Sequence, residues 1–249
     1  MTIARKLARF CSGLDYPTLP TDVRRMVPAL LADWLANAAA GHDTEWGRAL
    51  TAVTGVRPVP DGAPLAGTLR PVDPPAAALI NAGASHATEF DDSDRVGLYH
   101  PGAPVISAAW AAAAESSACM HDMMAGIVAG YEISQRLARA VNPGHYRWWH
   151  TTGTMGALGA AAAASRVIGL GPVETLWALG LAGTQASGLW EVLPEGPWPR
   201  IYIPPRPPSP DCWPPCWHPG ESMARAPYWK ASGACSKPWS LSRCGRKTA

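Results

Sequence analysis

Phenylalanine occurs only twice in 249 residues, while alanine and glycine abound, so much of the core must come from helices packed closely over small side chains. An excess of charge is also missing, and a net charge of +2 gives no field to attract nucleic acid or a membrane surface. Residues 1–12 mix Arg5, Lys6 and Arg9 with apolar residues at helical spacing and lack the apolar block of a secretory signal. The uncharged run from Thr175 to Trp190 is too short to span a bilayer and carries Thr184, Gln185 and Ser187. The expected setting is therefore the cytoplasm, with neither nucleic acid nor membrane as partner. Alternation of β-branched and polar residues is absent, which predicts a domain that is nearly all α. A hydrophobic content of 47% suffices for one large core or two small ones.

What is present reads as a series of helices. Thr21 can cap a helix through Ala40 that stops at Gly41, with Pro28 as a possible kink in its first turns. Thr44 can cap a shorter helix ending at Gly55. Residues 56–72 are rich in proline and glycine and read as a loop, with room for a short extended piece at Pro64–Leu69. Asp73 followed by Pro74 is a helix start, because proline suits the first turn, where its missing N–H is not needed. Further helices are expected at 103–118, 121–140, 151–168 and 172–192. Gly153, Gly156 and Gly159 recur every three residues, which suits a helix face bared for contact with another backbone. They do not make a nucleotide-binding signature, since no strand precedes them and the spacing is wrong.

Two polar knots interrupt the apolar segments. The first, His86 to His100, holds two imidazoles, four carboxylates, three hydroxyls and a guanidinium. If the helix from Asp73 runs through it, His86, Glu89 and Ser93 share one face. The plainer reading is a solvated helix end whose acids face water. The second knot, His145 to Thr154, opens a helix, so free N–H groups near Thr151 and Gly153 would favour a bound carboxylate, with His150 at the mouth. Simple capping by Thr151 or Thr152 explains the same residues equally well.

The blocks Asn81-Ala-Gly-Ala-Ser-His-Ala-Thr-Glu-Phe-Asp-Asp, His100-Pro-Gly-Ala-Pro-Val, Ala129-Gly-Tyr-Glu and His150-Thr-Thr-Gly-Thr-Met-Gly-Ala resemble the MmgE/PrpD family. So do Gly183-Thr-Gln-Ala-Ser-Gly-Leu and Glu195-Gly-Pro-Trp, and order and spacing match over roughly residues 1–200. The family includes 2-methylcitrate dehydratase and cis-aconitate decarboxylase. The resemblance implies a helical domain at 1–196 carrying most catalytic groups, a smaller α+β lid inserted after it, returning C-terminal helices and, usually, a homodimer. It also implies small polycarboxylic acid substrates and chemistry with no metal and no organic cofactor. Carried over position by position, the family's site residues fall on Glu89, Ser93, His100 and His150. Glu89 stands where the family has Asp, and Ser93 where it has Thr. A basic residue, commonly Lys, follows the Gly-x-Trp block, and here it is Arg200, which could hold a carboxylate but not release its proton.

The chemistry accounts for these residue types. Eliminating water from a hydroxy acid needs a base for the carbon-bound proton, an acid for the departing hydroxyl, and cations or N–H dipoles for the carboxylates. His100 and His150 are the expected proton-transfer groups, with Glu89 orienting one of them and Ser93 bonding a substrate oxygen. Which imidazole is acid and which is base is open at this level.

From Pro197 onward the composition changes: twelve of 26 prolines, four of six cysteines and five of twelve tryptophans fall there. Cys212-x3-Cys216 with His218 lacks the paired spacing of a zinc site, and a disulfide-bonded appendage would contradict a cytoplasmic setting. A third reading is translation out of frame. Residues 212–217 are encoded TGY TGG CCN CCN TGY TGG, and starting one base earlier yields Leu-Leu-Ala-x-(Leu/Val/Met)-Leu, an apolar helical run of the kind the family has there. Residues 197–249 are therefore expected to be an irregular, out-of-frame tail, with the lid missing. The expected outcome for function is an impaired lyase, or alternatively a non-catalytic helical remnant that dimerises or binds acids.

Overall fold

In a computed structural model, residues 1–68 and 70–190 are described, and within them the chain is built from helices. In order these are α1 (Ile3–Gly13), α2 (Thr21–His42), α3 (Glu45–Thr54), β1 (Pro58–Pro64), β2 (Pro71–Val72), α4 (Pro74–His86), α5 (Gly102–Ser116), α6 (Met120–Val141), α7 (Thr151–Ile168) and α8 (Pro172–Gln185). Two short 3-10 turns lie at Tyr16–Thr18 and His145–Arg147. The all-α expectation holds apart from one small antiparallel pair, β1 with β2. No helix among the described residues is long and apolar enough to cross a membrane. The expected tail at 197–249 and Arg200 lie outside the described residues.

Local signals worked where they were complete. The Thr44 hydroxyl accepts from the Gly47 N–H at 3.0 Å and caps α3, and Gly55 closes that helix in the left-handed conformation at φ 58°. Pro74 opens α4 directly after Asp73. Four expectations need correction. Thr21 is the first residue of α2 rather than its cap, since Pro20 precedes it with no side-chain bond. Gly41 does not stop α2, which runs on to His42; a Cβ at Gly41 would stand 1.8 Å from the Ala84 carbonyl oxygen, so the glycine lets α2 and α4 touch. The extended piece is Pro58–Pro64, paired with Pro71–Val72, and residues 66–68 form the turn between them. Finally, α8 ends at Gln185, because Gly188 turns the chain back and its carbonyl accepts from His150 N–H at 2.8 Å.

The main core joins α1, α2 and α5–α8, and a smaller one lies between α3, the strand pair, α4 and α5. Within the main core, α6 and α7 share the largest interface, with α5 laid along α7. Most residues of α5 and α7 are buried and Ala is the commonest of them, so burial here follows from backbones approaching closely over small groups. Gly159 marks one close point: a Cβ there would meet Ser134 Cβ on α6 and Val105 Cγ2 on α5, each at 2.8 Å.

Gly159→Ala should lower stability by about 1–3 kcal/mol, because the packed Ser134 and Val105 side chains must give way. Gly180→Ala on α8, where an added Cβ would meet nothing within 4 Å, should instead stabilise by up to about 1 kcal/mol. Thermal melts of the two variants should therefore move in opposite directions.

Candidate functional site

The first polar knot is not a solvated helix end. α4 stops at His86, the Glu89 N–H bonds back to the His86 carbonyl at 3.2 Å, and Glu89 adopts φ 53°. The shared helical face of His86, Glu89 and Ser93 therefore does not exist. The reason is a tertiary bond: the buried Asp91 carboxylate folds back over the helix end onto His86 Nδ1, at 3.0 and 2.9 Å.

Three acids pin the loop, each to a different partner. Asp91 takes His86 and also lies 3.4 Å from His100 Nδ1, an ionic contact rather than a well-formed hydrogen bond. Asp92 accepts from Gly102 N–H and from the Tyr131 hydroxyl, both at 2.9 Å. Asp94 receives two bonds from the Arg139 guanidinium, at 2.9 and 3.2 Å. The Tyr99 hydroxyl shares a 2.7 Å hydrogen bond with Ser134 Oγ.

The second knot meets the first at the start of α7. The His100 N–H donates to Thr152 Oγ1 at 3.1 Å, and Asn142 Nδ2 donates both to the Gly97 carbonyl and to Thr151 Oγ1. His150 occupies the N-cap position of α7 and is buried, its ring edge-on to Trp190 with centroids 4.6 Å apart. His150 Nδ1 has no hydrogen-bond partner among the described residues. The first-turn N–H groups of α7 have no acceptor within the helix, so this end favours an anion.

Adjacent groups titrate apart. Burial would raise Asp91, but the contacts and charges of the His100 and His86 imidazoles outweigh it and bring its carboxyl to about 2. Burial raises Asp92 to about 6 against the bonds from Tyr131 and Gly102. Burial, helped by the charges of His86 and His100, pushes His150 down to about 4. Burial opposes ionisation of His100 as well, but the Asp91 carboxylate prevails and its pKa rises.

Of the expected site residues, His100 and His150 are joined through the first turn of α7. Glu89 is exposed, yet its charge reaches His100 and Tyr146, so it borders the same region. Ser93 is exposed on the loop, and Arg200 lies outside the described residues. Four shaping residues were not singled out from the sequence: His86 as Asp91's partner, Asp91, Asp92 and Tyr131. All sat inside blocks already noted, but their pairing depends on the helix ending at His86. The side chains best placed to share a cation would be His86, Asp91 and His100, with donor atoms within 4.8 Å of one another, although His86 Nδ1 and Asp91 already bond directly.

The MmgE/PrpD N-terminal domain model matches residues 5–200. The chain belongs to this family. It is 32% identical over 216 residues to the cis-aconitate decarboxylase-like protein oryM of Aspergillus oryzae, an alignment covering 80% of this chain and 43% of that protein. It is 28% identical over 194 residues to the cis-aconitate decarboxylase of Aspergillus terreus, covering 75% of this chain and 40% of that protein. The chain thus spans less than half the length of these curated MmgE/PrpD relatives.

Stability should report the two displaced groups with opposite signs. His150 has a folded pKa below its ordinary 6.5, so its contribution is present above pH 6.5 and lost as pH falls toward 4, by about 3 kcal/mol. Asp92 has a folded pKa above its ordinary 3.8, so it costs the fold about 3 kcal/mol as pH rises from 4 through 6. Urea melts at pH 4.5 and 7.5 check this. Relative to wild type, His150→Gln should gain stability at the acidic end, and Asp92→Asn should gain at the neutral end.

Proposed function

We propose that the protein is a lyase of small polycarboxylic acids, acting by acid–base dehydration or decarboxylation, with His150 as the base and His100 as the acid. The observation that carries this is the junction at α7, where the backbone N–H of His100 bonds Thr152 Oγ1 two residues after the buried His150 at the helix N-cap. Burial lowers the pKa of His150 while the Asp91 carboxylate raises that of His100, the direction of separation an acid–base pair uses. The first turn of α7 supplies N–H dipoles for a substrate carboxylate. Glu89 borders His100 and would orient it, Ser93 would bond a substrate oxygen, and Arg200 would hold a second carboxylate. Proton transfer of this type asks for neither a metal nor an organic cofactor.

The names of the matched relatives point to cis-aconitate as the first substrate to try, with citrate and methylcitrate beside it. A homodimer in the cytoplasm is the setting we propose. The change of composition from Pro197 onward favours a second reading, in which the helical domain serves as a dimerising or acid-binding module and residues 197–249 are an out-of-frame tail. Resequencing codons 195–205 and finding an uninterrupted longer frame would remove the ground for that reading.

Turnover of the three acids by the full chain decides between the two. For a lyase, His100→Gln and His150→Gln should each lower kcat by roughly 10²–10⁴-fold, the usual worth of a positioned acid or base. Absence of turnover, together with calorimetric binding of the acids that His150→Gln abolishes, would establish the acid-binding module instead.

A further inference from the structure

Asp91 sits behind His100 in the place of an orienting carboxylate. Its side chain is 2% exposed and faces two imidazoles whose ring centroids are 4.8 Å apart. We infer that Asp91 is a positioning residue: it holds His100 with Nδ1–H directed at its carboxylate, leaving Nε2 as the atom that exchanges protons with substrate. The role in turnover rests on the lyase reading above, while the tautomer does not.

The geometry supports this in three steps. An ionised carboxylate only accepts, so each imidazole nitrogen facing it must carry a proton. His86 Nδ1 satisfies this at 2.9 Å and braces Asp91 from one side, so the carboxylate cannot swing away from His100. The backbone of His100 is fixed independently, because Asp92 grips Gly102 N–H two residues on and Thr152 Oγ1 holds the His100 N–H. With the main chain and the carboxylate both fixed, the imidazole has one orientation to keep. The 3.4 Å separation leaves room for that contact to shorten when His100 takes a proton.

The test is nitrogen NMR of the full chain labelled at histidine, at a pH where the imidazoles are neutral, with His100→Gln used to assign the signal. The expected wild-type spectrum shows His100 protonated at Nδ1. In Asp91→Asn, whose amide both donates and accepts, the His100 population should move toward the Nε2-protonated form, and Asp91→Glu should restore Nδ1 protonation at least in part. In a turnover assay Asp91→Asn should lower kcat by roughly 10²–10⁴-fold with KM little changed, the pattern of a wrongly protonated imidazole. A wild-type His100 protonated at Nε2 overturns the inference even if no variant folds. So does a tautomer that Asp91→Asn leaves unchanged. Expected tautomers in a chain without turnover would sustain the positioning geometry and count against the lyase reading alone.

Discussion

A loop holding four carboxylates within six residues can be packed against a helical core only if each buried acid finds a partner, because moving a carboxylate out of water costs several kcal/mol. Pairing of Asp91, Asp92 and Asp94 is the constraint on which the rest of this region depends. One takes two imidazoles, one takes a backbone N–H and a phenol, and one takes a guanidinium. Glu89, which has no such partner among the described residues, is left facing solvent. Satisfying the three acids draws together the end of α4, the start of α5 and the side of α6, and those contacts place His100.

The same pairing separates neighbouring charges. Asp91 and Asp92 are consecutive and both buried, yet one is strongly acidic and the other holds its proton to about 6. The difference lies in the partners: imidazoles can become cations, whereas a phenol and an amide offer only dipoles. A second contrast falls on His100 and His150. The first has a carboxylate within reach and the second has none among the described residues, so burial decides the second and charge decides the first. Two imidazoles of one intrinsic basicity are thereby given opposite proton preferences, without any change of residue type.

Reading the sequence succeeded where the controlling interaction was local. Thr44, Gly55 and Pro74 act within one turn of themselves, so their roles were visible in the chain order. It failed where a distant backbone took over. Gly41 looked like a helix stop but is a contact point for Ala84, and α8 ends early because Gly188 returns to His150. The largest error concerned the first knot, since helical periodicity was carried across His86 into residues whose partners are remote. Asp92 meets Tyr131 across 39 positions and Asp94 meets Arg139 across 45, and no local spacing encodes either. His100 and His150 were legible as candidates through the motif resemblance, whereas the carboxylate behind His100 became visible only when the chain folded back.

The alanine and glycine content that first marked this sequence bears directly on the site. His100 and His150 each sit at the mouth of a helix, α5 and α7, that is buried almost throughout and packs against the other. Such helices are firm supports, and groups placed on them hold position better than groups on free loops. Gly159 lies where α5, α6 and α7 meet, against Val105 and Ser134, and the Ser134 hydroxyl binds Tyr99, the residue before His100. A side chain at position 159 would press on Ser134 and, through it, on the loop that carries His100. The absence of a Cβ in the core is therefore a geometric condition of the polar site above it, and small-residue packing and acid–base placement are parts of one arrangement.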